Sequence, residues 1–327
     1  MLKVGIIGAG LMGQTHCAAY KDIEGLELAI VDFKLEKAKA LGVEYACISF
    51  DDPIKMFEDF SPDIVDICLP TALHRKYTEM AFDANANVIC EKPFALDLID
   101  AKAMMGAAKK ADRLLMIAHC LRFSREYCYL KELIDKNTLG RLLQLNMYRN
   151  TSVPTWSEGN WLGDVSKSGG VPMDLHIHET DMVVYLLGRP DAVTSSGTAM
   201  NISTMYHYPQ TTVVTSASWN MDKSYPLTGG FDAVFEKGSA IHKDGKITLF
   251  DGSGVLKTID IGAFAKQYNA FSMELSQNVY QNELQYFINC VKNKKEPKLS
   301  QPSDSVLSLQ VVLAEIESMK SHTTIHI

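Results

Sequence analysis

Over the first 120 positions, short apolar, β-leaning runs alternate with stretches of helical spacing. Lys3–Ile7 and Leu26–Val31 predict strands, with a helix from Gln14 to Lys21 between them. Asp63–Leu69 predicts a buried parallel strand that stops at Pro70-Thr71, and Leu73–Asn85 continues as a helix. Asn87–Cys90 is a further short strand, ending at Glu91-Lys92-Pro93. Leu98–Ala111 carries Ala101, Met104, Met105 and Ala108 at helical spacing, and Leu114–Ala118 is a strand that reaches His119. Repeated β–α alternation implies a doubly wound, mostly parallel sheet.

The pattern changes after about residue 120. Tyr127–Lys136 predicts a helix, Leu142–Asn150 a strand, and Pro172–Leu187 a helix closed by Gly188 and Pro190. Strand-like runs follow at Val193–Met200, Thr211–Asn220, Phe231–Glu236, Lys246–Phe250 and Val255–Ile261. Strands in succession without helices between them imply an open, mainly antiparallel sheet. Ser276–Lys292 and Ser303–Lys320 predict closing helices. The chain therefore divides into an α/β domain, 1–120, and an α+β domain, 121–327.

Hydrophobic residues make up 46% and charged residues 22%, as in an ordinary soluble protein. The net charge of −7 and the lack of a basic stripe argue against nucleic acid as a partner. No apolar run approaches the roughly 20 residues that span a bilayer, and the chain opens on a strand without a signal-peptide layout. The seven cysteines form no CxxC pair, so reduced thiols in a cytoplasmic protein are expected.

Gly8-Ala9-Gly10-Leu11-Met12-Gly13 lies between the first strand and the first helix, and Asp32 closes the second strand. Strand, glycine turn, helix, strand and acid, in that order, are the fingerprint of a dinucleotide-binding Rossmann unit. Gly8 allows the tight turn, Gly10 admits a pyrophosphate, and Gly13 lets the helix pack on the strand. The N-terminus of the following helix offers N–H groups to the phosphates, and Leu11 and Met12 within the turn are expected cofactor contacts. Asp32 suits a ribose 2′-hydroxyl and repels a 2′-phosphate, which favours NAD; Lys34 and Lys37 keep NADP open.

Ligands of such sheets bind beyond the C-terminal strand ends. Pro70-Thr71 with His74, Glu91-Lys92-Pro93, and His119 with Arg122 occupy those ends. Pro93 keeps Lys92 extended and suits a fixed, even cis, turn. Lys92 reads either as a donor to a substrate oxygen or as a surface Lys at a turn. In the second half, Gly169-Gly170 precedes Asp174, His176, His178 and Asp181. Asp174 and His178 are four apart and share a helix face, and a carboxylate beside an imidazole makes a proton-transfer pair. His176 points elsewhere and reads as structural, although His176, His178 and a nearby acid also allow a metal site. Trp156 and Trp161 read as lining a sugar surface or capping a core.

Taken together, these residues resemble the Gfo/Idh/MocA oxidoreductase family across nearly the whole chain. The resemblance rests on Gly8/Gly10/Gly13, Glu91-Lys92-Pro93, His119 with Arg122-Phe123, Gly169-Gly170 with Asp174, His178 and Asp181, and Val279-Tyr280 with Glu283 and Phe287. It implies a hydride transfer between NAD, or less favourably NADP, and a sugar or cyclitol hydroxyl, in a homodimer or homotetramer. It implies Lys92, Asp174 and His178 as the catalytic group, and Tyr280 as a substrate contact beside Trp161. Cofactor contacts would come from the glycine turn, Asp32, Pro70, Thr71, His74, Glu91, Lys92, His119 and Arg122. His119 stands where many relatives carry Asn, and Pro172 and His176 also depart from the family pattern, which leaves the exact substrate open. An NAD-recycling glycosidase and a non-catalytic dinucleotide-binding sensor are the alternatives.

Overall fold

The computed structural model describes residues 1–155, 157–254, 256–267 and 275–327; Trp156 lies outside them. The chain runs β1 (Leu2–Ile7), α1 (Leu11–Tyr20), β2 (Leu26–Val31), α2 (Leu35–Tyr45), β3 (Ile48–Phe50), α3 (Pro53–Asp59), β4 (Ile64–Ile67), α4 (His74–Asp83), β5 (Asn87–Glu91), α5 (Leu98–Ala111) and β6 (Leu115–Ala118). These strands make one parallel six-stranded sheet in the order β3-β2-β1-β4-β5-β6. β4 and β6 are buried at every residue, as befits strands covered on both faces. The doubly wound reading therefore holds. The sequence pattern did not reveal α2, α3 and β3, which lie between Asp32 and Asp63.

The rest is α6 (Arg125–Asp135), β7 (Leu142–Ser152), α7 (Val165–Ser168), a π-helical turn (Pro172–His176), α8 (Ile177–Leu187), β8 (Ala192–Thr198), β9 (Asn201–His207), β10 (Thr212–Met221), β11 (Thr228–Phe235), β12 (Gly238–Lys243), β13 (Lys246–Phe250), β14 (Leu256–Ile259), α9 (Ile261–Gln267), α10 (Val279–Asn293), α11 (Pro302–Ser321) and β15 (Ile325–His326). The nine-stranded sheet is antiparallel except where β10 runs parallel to β7. Its inward positions, among them Leu145, Met147, Tyr206, Val213 and Phe231, join Leu130, Met182, Val183 and Val311 in one core. Where a strand over Val255–Ile261 was expected, pairing ends at Ile259 and a helix starts at Ile261.

The compact units differ from a simple cut at residue 120. The first comprises Met1–Cys120, Trp156–Trp161 and Asn278–Val306; the second comprises Leu121–Thr155, Leu162–Gln277 and Leu307–Ile327. Helix α10 thus belongs with the dinucleotide fold and packs against α1. It starts sharply because the Asn278 carboxamide oxygen accepts from the N–H groups of Tyr280 and Gln281. Its buried residues include Leu284, Phe287 and Ile288.

Candidate active site

The glycine turn has the shape its spacing implies. Gly8 takes φ +108°, and a Cβ there would stand 2.4 Å from the Cys68 carbonyl oxygen. A Cβ at Gly13 would stand 1.8 Å from the Gly8 carbonyl oxygen, so helix and turn touch backbone to backbone. At Gly10, among the described residues, no atom beyond its chain neighbours lies within 4 Å of that position. This turn keeps the room a Cβ would fill, which is the room a pyrophosphate needs. No side chain caps α1 and its first turn holds no acid, so Leu11, Met12 and Gly13 open the helix with its positive dipole end unneutralised. Asp32 Oδ2 accepts from Ala9 N at 3.0 Å and Oδ1 from Lys34 N at 2.9 Å. An ionised carboxylate has about four lone-pair positions, so capacity is left for a ribose. Turn, helix and acid fit a dinucleotide.

At the other strand ends the structure separates residues that the sequence grouped. Lys92 is half-buried between buried Glu91 and Pro93, and the Lys92–Pro93 peptide is cis. Pro70 is half-buried, Thr71 is buried at the start of a short 3-10 turn, and His119 is buried at the end of β6. Three more of the residues expected at the cofactor, His74, Glu91 and Arg122, are buried with partners inside the protein. His74 lies with Nδ1 3.0 Å from the Pro93 carbonyl and Nε2 2.9 Å from that of Leu69, tying the β4 end to the Lys92 turn. Burial holds its pKa below the ordinary value. Glu91 is buried, with Oε1 3.0 Å from His16 Nε2 and Oε2 accepting from Lys92 N at 3.1 Å. Arg122 is fully buried and forks onto Asp181, with Nε–Oδ2 at 2.8 Å and Nη2–Oδ1 at 2.7 Å. Short polar turns pull these long side chains into the fold because a buried charge needs a partner.

The same region holds a network that motif reading missed. His16 on α1 puts Nδ1 2.8 Å from Asp66 Oδ2, and Tyr20 donates to that oxygen at 2.9 Å. Cys68 Sγ lies 3.4 Å from the same nitrogen. The Tyr280 ring sits 5.8 Å from the imidazole, centroid to centroid. Burial pulls the His16 pKa down, but Asp66 and Cys68 outweigh it and hold the group well above the ordinary histidine value. For Glu91, burial pushes up while the hydrogen bond and charge of His16 push down, and the net is a lowered pKa. Burial raises the Cys68 thiol, which fits a packing residue rather than a nucleophile. The signal in the sequence was an Asp inside the apolar run Ile64-Val65-Asp66-Ile67. A carboxylate there must find a buried partner.

In the second unit, Gly169 and Gly170 turn the chain at φ +74° and +68°, and the π-helical turn leads into α8. From Val171 to Val184 every residue is buried except Asp174 and His178, which are half-buried. The expected proton-transfer pair is thus the exposed strip of an otherwise enclosed segment. The opposite faces anchor it. His176 places Nδ1 2.9 Å from Glu315 Oε2 and Nε2 2.6 Å from Thr215 Oγ1. Thr180 and Tyr206 donate to Glu315 Oε1 at 2.9 and 2.7 Å. Asp181, one turn beyond His178, accepts from Arg122 and from Ser308 at 2.7 Å and is buried, so it holds the helix. Tyr280 and Trp161 are both half-buried.

The sequence matches two family models. Residues 2–119 match the Gfo/Idh/MocA oxidoreductase family model with its NAD-binding Rossmann fold, and residues 127–241 match a C-terminal domain of that family. A myo-inositol 2-dehydrogenase of Thermotoga maritima is 28% identical over 99% of this chain and 98% of its own. A D-glucoside 3-dehydrogenase of Escherichia coli is 34% identical, over 58% of this chain and 55% of its own. The crystal structure of a levoglucosan dehydrogenase in complex with NADH and levoglucosan superposes with a TM-score of 0.85 at 20% identity, covering 100% of this chain and 99% of the other. With both halves matched and the glycine turn built as the fold requires, the chain belongs to the Gfo/Idh/MocA oxidoreductase family and carries its NAD-binding Rossmann fold.

Proposed function

We propose that this protein is an NAD-dependent dehydrogenase that moves a hydride between the nicotinamide and a hydroxyl or keto carbon of a sugar or cyclitol. Similar proteins carry the names inositol, glucoside and levoglucosan dehydrogenase, which supports this substrate class. Bound NAD supplies the hydride acceptor. Gly8, Gly10, Leu11, Met12 and Gly13 hold its phosphates, Asp32 takes the adenosine ribose, and Pro70, Thr71 and His119 line the strand ends.

Lys92, Asp174 and His178 form the proposed catalytic group. As the carbon gives up a hydride and the C=O bond forms, the hydroxyl proton must leave. The His178 imidazole takes that proton in oxidation and returns it in reduction. The Lys92 ammonium donates to the reacting oxygen and stabilises its developing negative charge. Asp174 binds substrate and orients the His178 ring. Tyr280 and Trp161 contact the sugar. The observation that carries this reading is the half-burial of Asp174 and His178 alone within Val171–Val184.

We also propose a homodimer or homotetramer. Along β9, Ser203 and Met205 are exposed while Ile202, Thr204 and Tyr206 are buried, so the sheet has an uncovered outer face. Seven free, buried cysteines support a cytoplasmic location, and among the described residues no helix is long and apolar enough to cross a membrane. The test is NADH formation from a panel of cyclitols, aldoses and glycosides, with NAD and then NADP. NADH from NAD and a polyol is expected. Sugar release without net NADH points to an NAD-recycling glycosidase, and silence in both assays to a dinucleotide-binding sensor.

A further inference from the structure

We propose that His16 is a positioning residue for the Lys92 turn and for Tyr280, acting as an imidazolium held between the Asp66 and Glu91 carboxylates; this rests on the reading that Lys92 meets the substrate. All the groups involved belong to the first unit. His16 Nδ1 lies 2.8 Å from Asp66 Oδ2 and Nε2 lies 3.0 Å from Glu91 Oε1. A carboxylate only accepts and carries a negative charge, so one at each nitrogen favours the ring form that carries both protons. A neutral ring would leave a lone pair against a carboxylate in a site where His16 and Asp66 are fully buried.

The bonds form one line across the sheet. Tyr20 donates to Asp66 in the middle of β4, Asp66 pairs with His16 Nδ1 on α1, and His16 Nε2 stands at ion-pair distance from Glu91, the last residue of β5. Glu91 then accepts from the backbone N–H of Lys92 with its other oxygen. The Glu91 carboxylate is therefore fixed at both oxygens, and through it the backbone that carries the Lys92 side chain. The other side of the ring meets Tyr280 of α10. One imidazole thus bridges the base of Lys92 and the ring of Tyr280, the two residues of this unit proposed to reach substrate. The groups facing His16 are Asp66 and Cys68 from the β4 end, Glu91 from β5, Tyr20 from its own helix and Tyr280 from α10. The predominance of the carboxylates agrees with the raised pKa of the imidazole.

A structural role alone would cost stability without coupling to turnover through Glu91. The test therefore combines the ring's charge with a double-mutant cycle. Nitrogen NMR of histidine-labelled protein at mildly alkaline pH should show both His16 ring nitrogens protonated; a neutral tautomer overturns the inference. His16→Gln and Glu91→Gln should each lower kcat about tenfold or more, the double variant no further than the worse single one, because both act on one linkage. NAD dissociation constants should stay within about threefold, since the glycine turn is untouched. Wild-type kcat in His16→Gln, or additive losses, overturns the inference. Glu91→Gln keeps the side-chain shape and serves alone where His16→Gln does not fold; wild-type kcat in that variant overturns it too. Lys92→Ala separates the two levels. Wild-type turnover in Lys92→Ala overturns the catalytic reading itself, whereas an inactive Lys92→Ala beside a fully active His16→Gln overturns this inference alone.

Discussion

Two buried histidines hold the two halves of the proposed catalytic group, and they do so differently. His16 faces a carboxylate at each nitrogen, whereas His176 faces the Glu315 carboxylate at one and the Thr215 hydroxyl at the other. A hydroxyl donates or accepts, so the second ring is satisfied with a single proton. The first arrangement needs a charge to close, and the second needs only the right shape. Each lies next in line to a candidate reacting residue: His16 acts through Glu91 on the Lys92 turn, and His176 sits two residues before His178 in the same helical segment. The difference teaches that the first anchor rests on the charge of its two partners, while the second joins a carboxylate and a hydroxyl.

The largest effects should come from the residues the anchors support. Lys92→Ala and His178→Ala are each expected to lower kcat by about 10²–10⁴-fold, with NAD affinity nearly unchanged in fluorescence titration. Wild-type turnover in both variants would remove the reason for comparing the anchors. Next comes the ion pair that fixes α8. Arg122→Ala leaves the buried Asp181 carboxylate without its counter-ion and should cost about 3–5 kcal/mol in urea unfolding. His176→Gln should cost about 1–3 kcal/mol in the same assay, through a lost buried hydrogen bond.

His16 should behave otherwise. Its pKa is raised on folding, so its contribution to stability is complete below the ordinary histidine value of about 6.5 and is lost as pH rises through the folded value. The stability gap between wild type and His16→Gln should therefore narrow from neutral to alkaline pH; a constant gap would contradict the charged state of His16. The smallest effect concerns the cofactor. Asp32→Ala should reduce the preference for NAD over NADP by about tenfold, or roughly 1.4 kcal/mol, as a ratio of kcat/KM values.

Much of this was legible in the sequence because glycine spacing and strand ends are local. The turn from Gly8 to Gly13, the acid at Asp32 and the spacing that puts Asp174 and His178 on one helix face need only the period of a helix and the end of a strand. What stayed hidden depends on partners far apart in the chain. Arg122, Glu91 and His74 look like exposed polar residues until Asp181, His16 and the Leu69 and Pro93 carbonyls are brought to them. β9 was missed because its inward residues Ile202, Thr204 and Tyr206 include a buried Thr that spoils the apolar alternation, and Thr204 is satisfied by Ser195 across the strand pair. Helix α10 looked like a closing element of the second domain, and only its packing on α1 assigns it to the first.

The most direct test of the central claim is NADH production by wild type and Lys92→Ala, side by side, on the polyol panel with NAD. The account predicts steady NADH formation from a sugar or cyclitol by wild type, and loss of nearly all of it in Lys92→Ala with NAD still bound. Equal rates from the two proteins would contradict it.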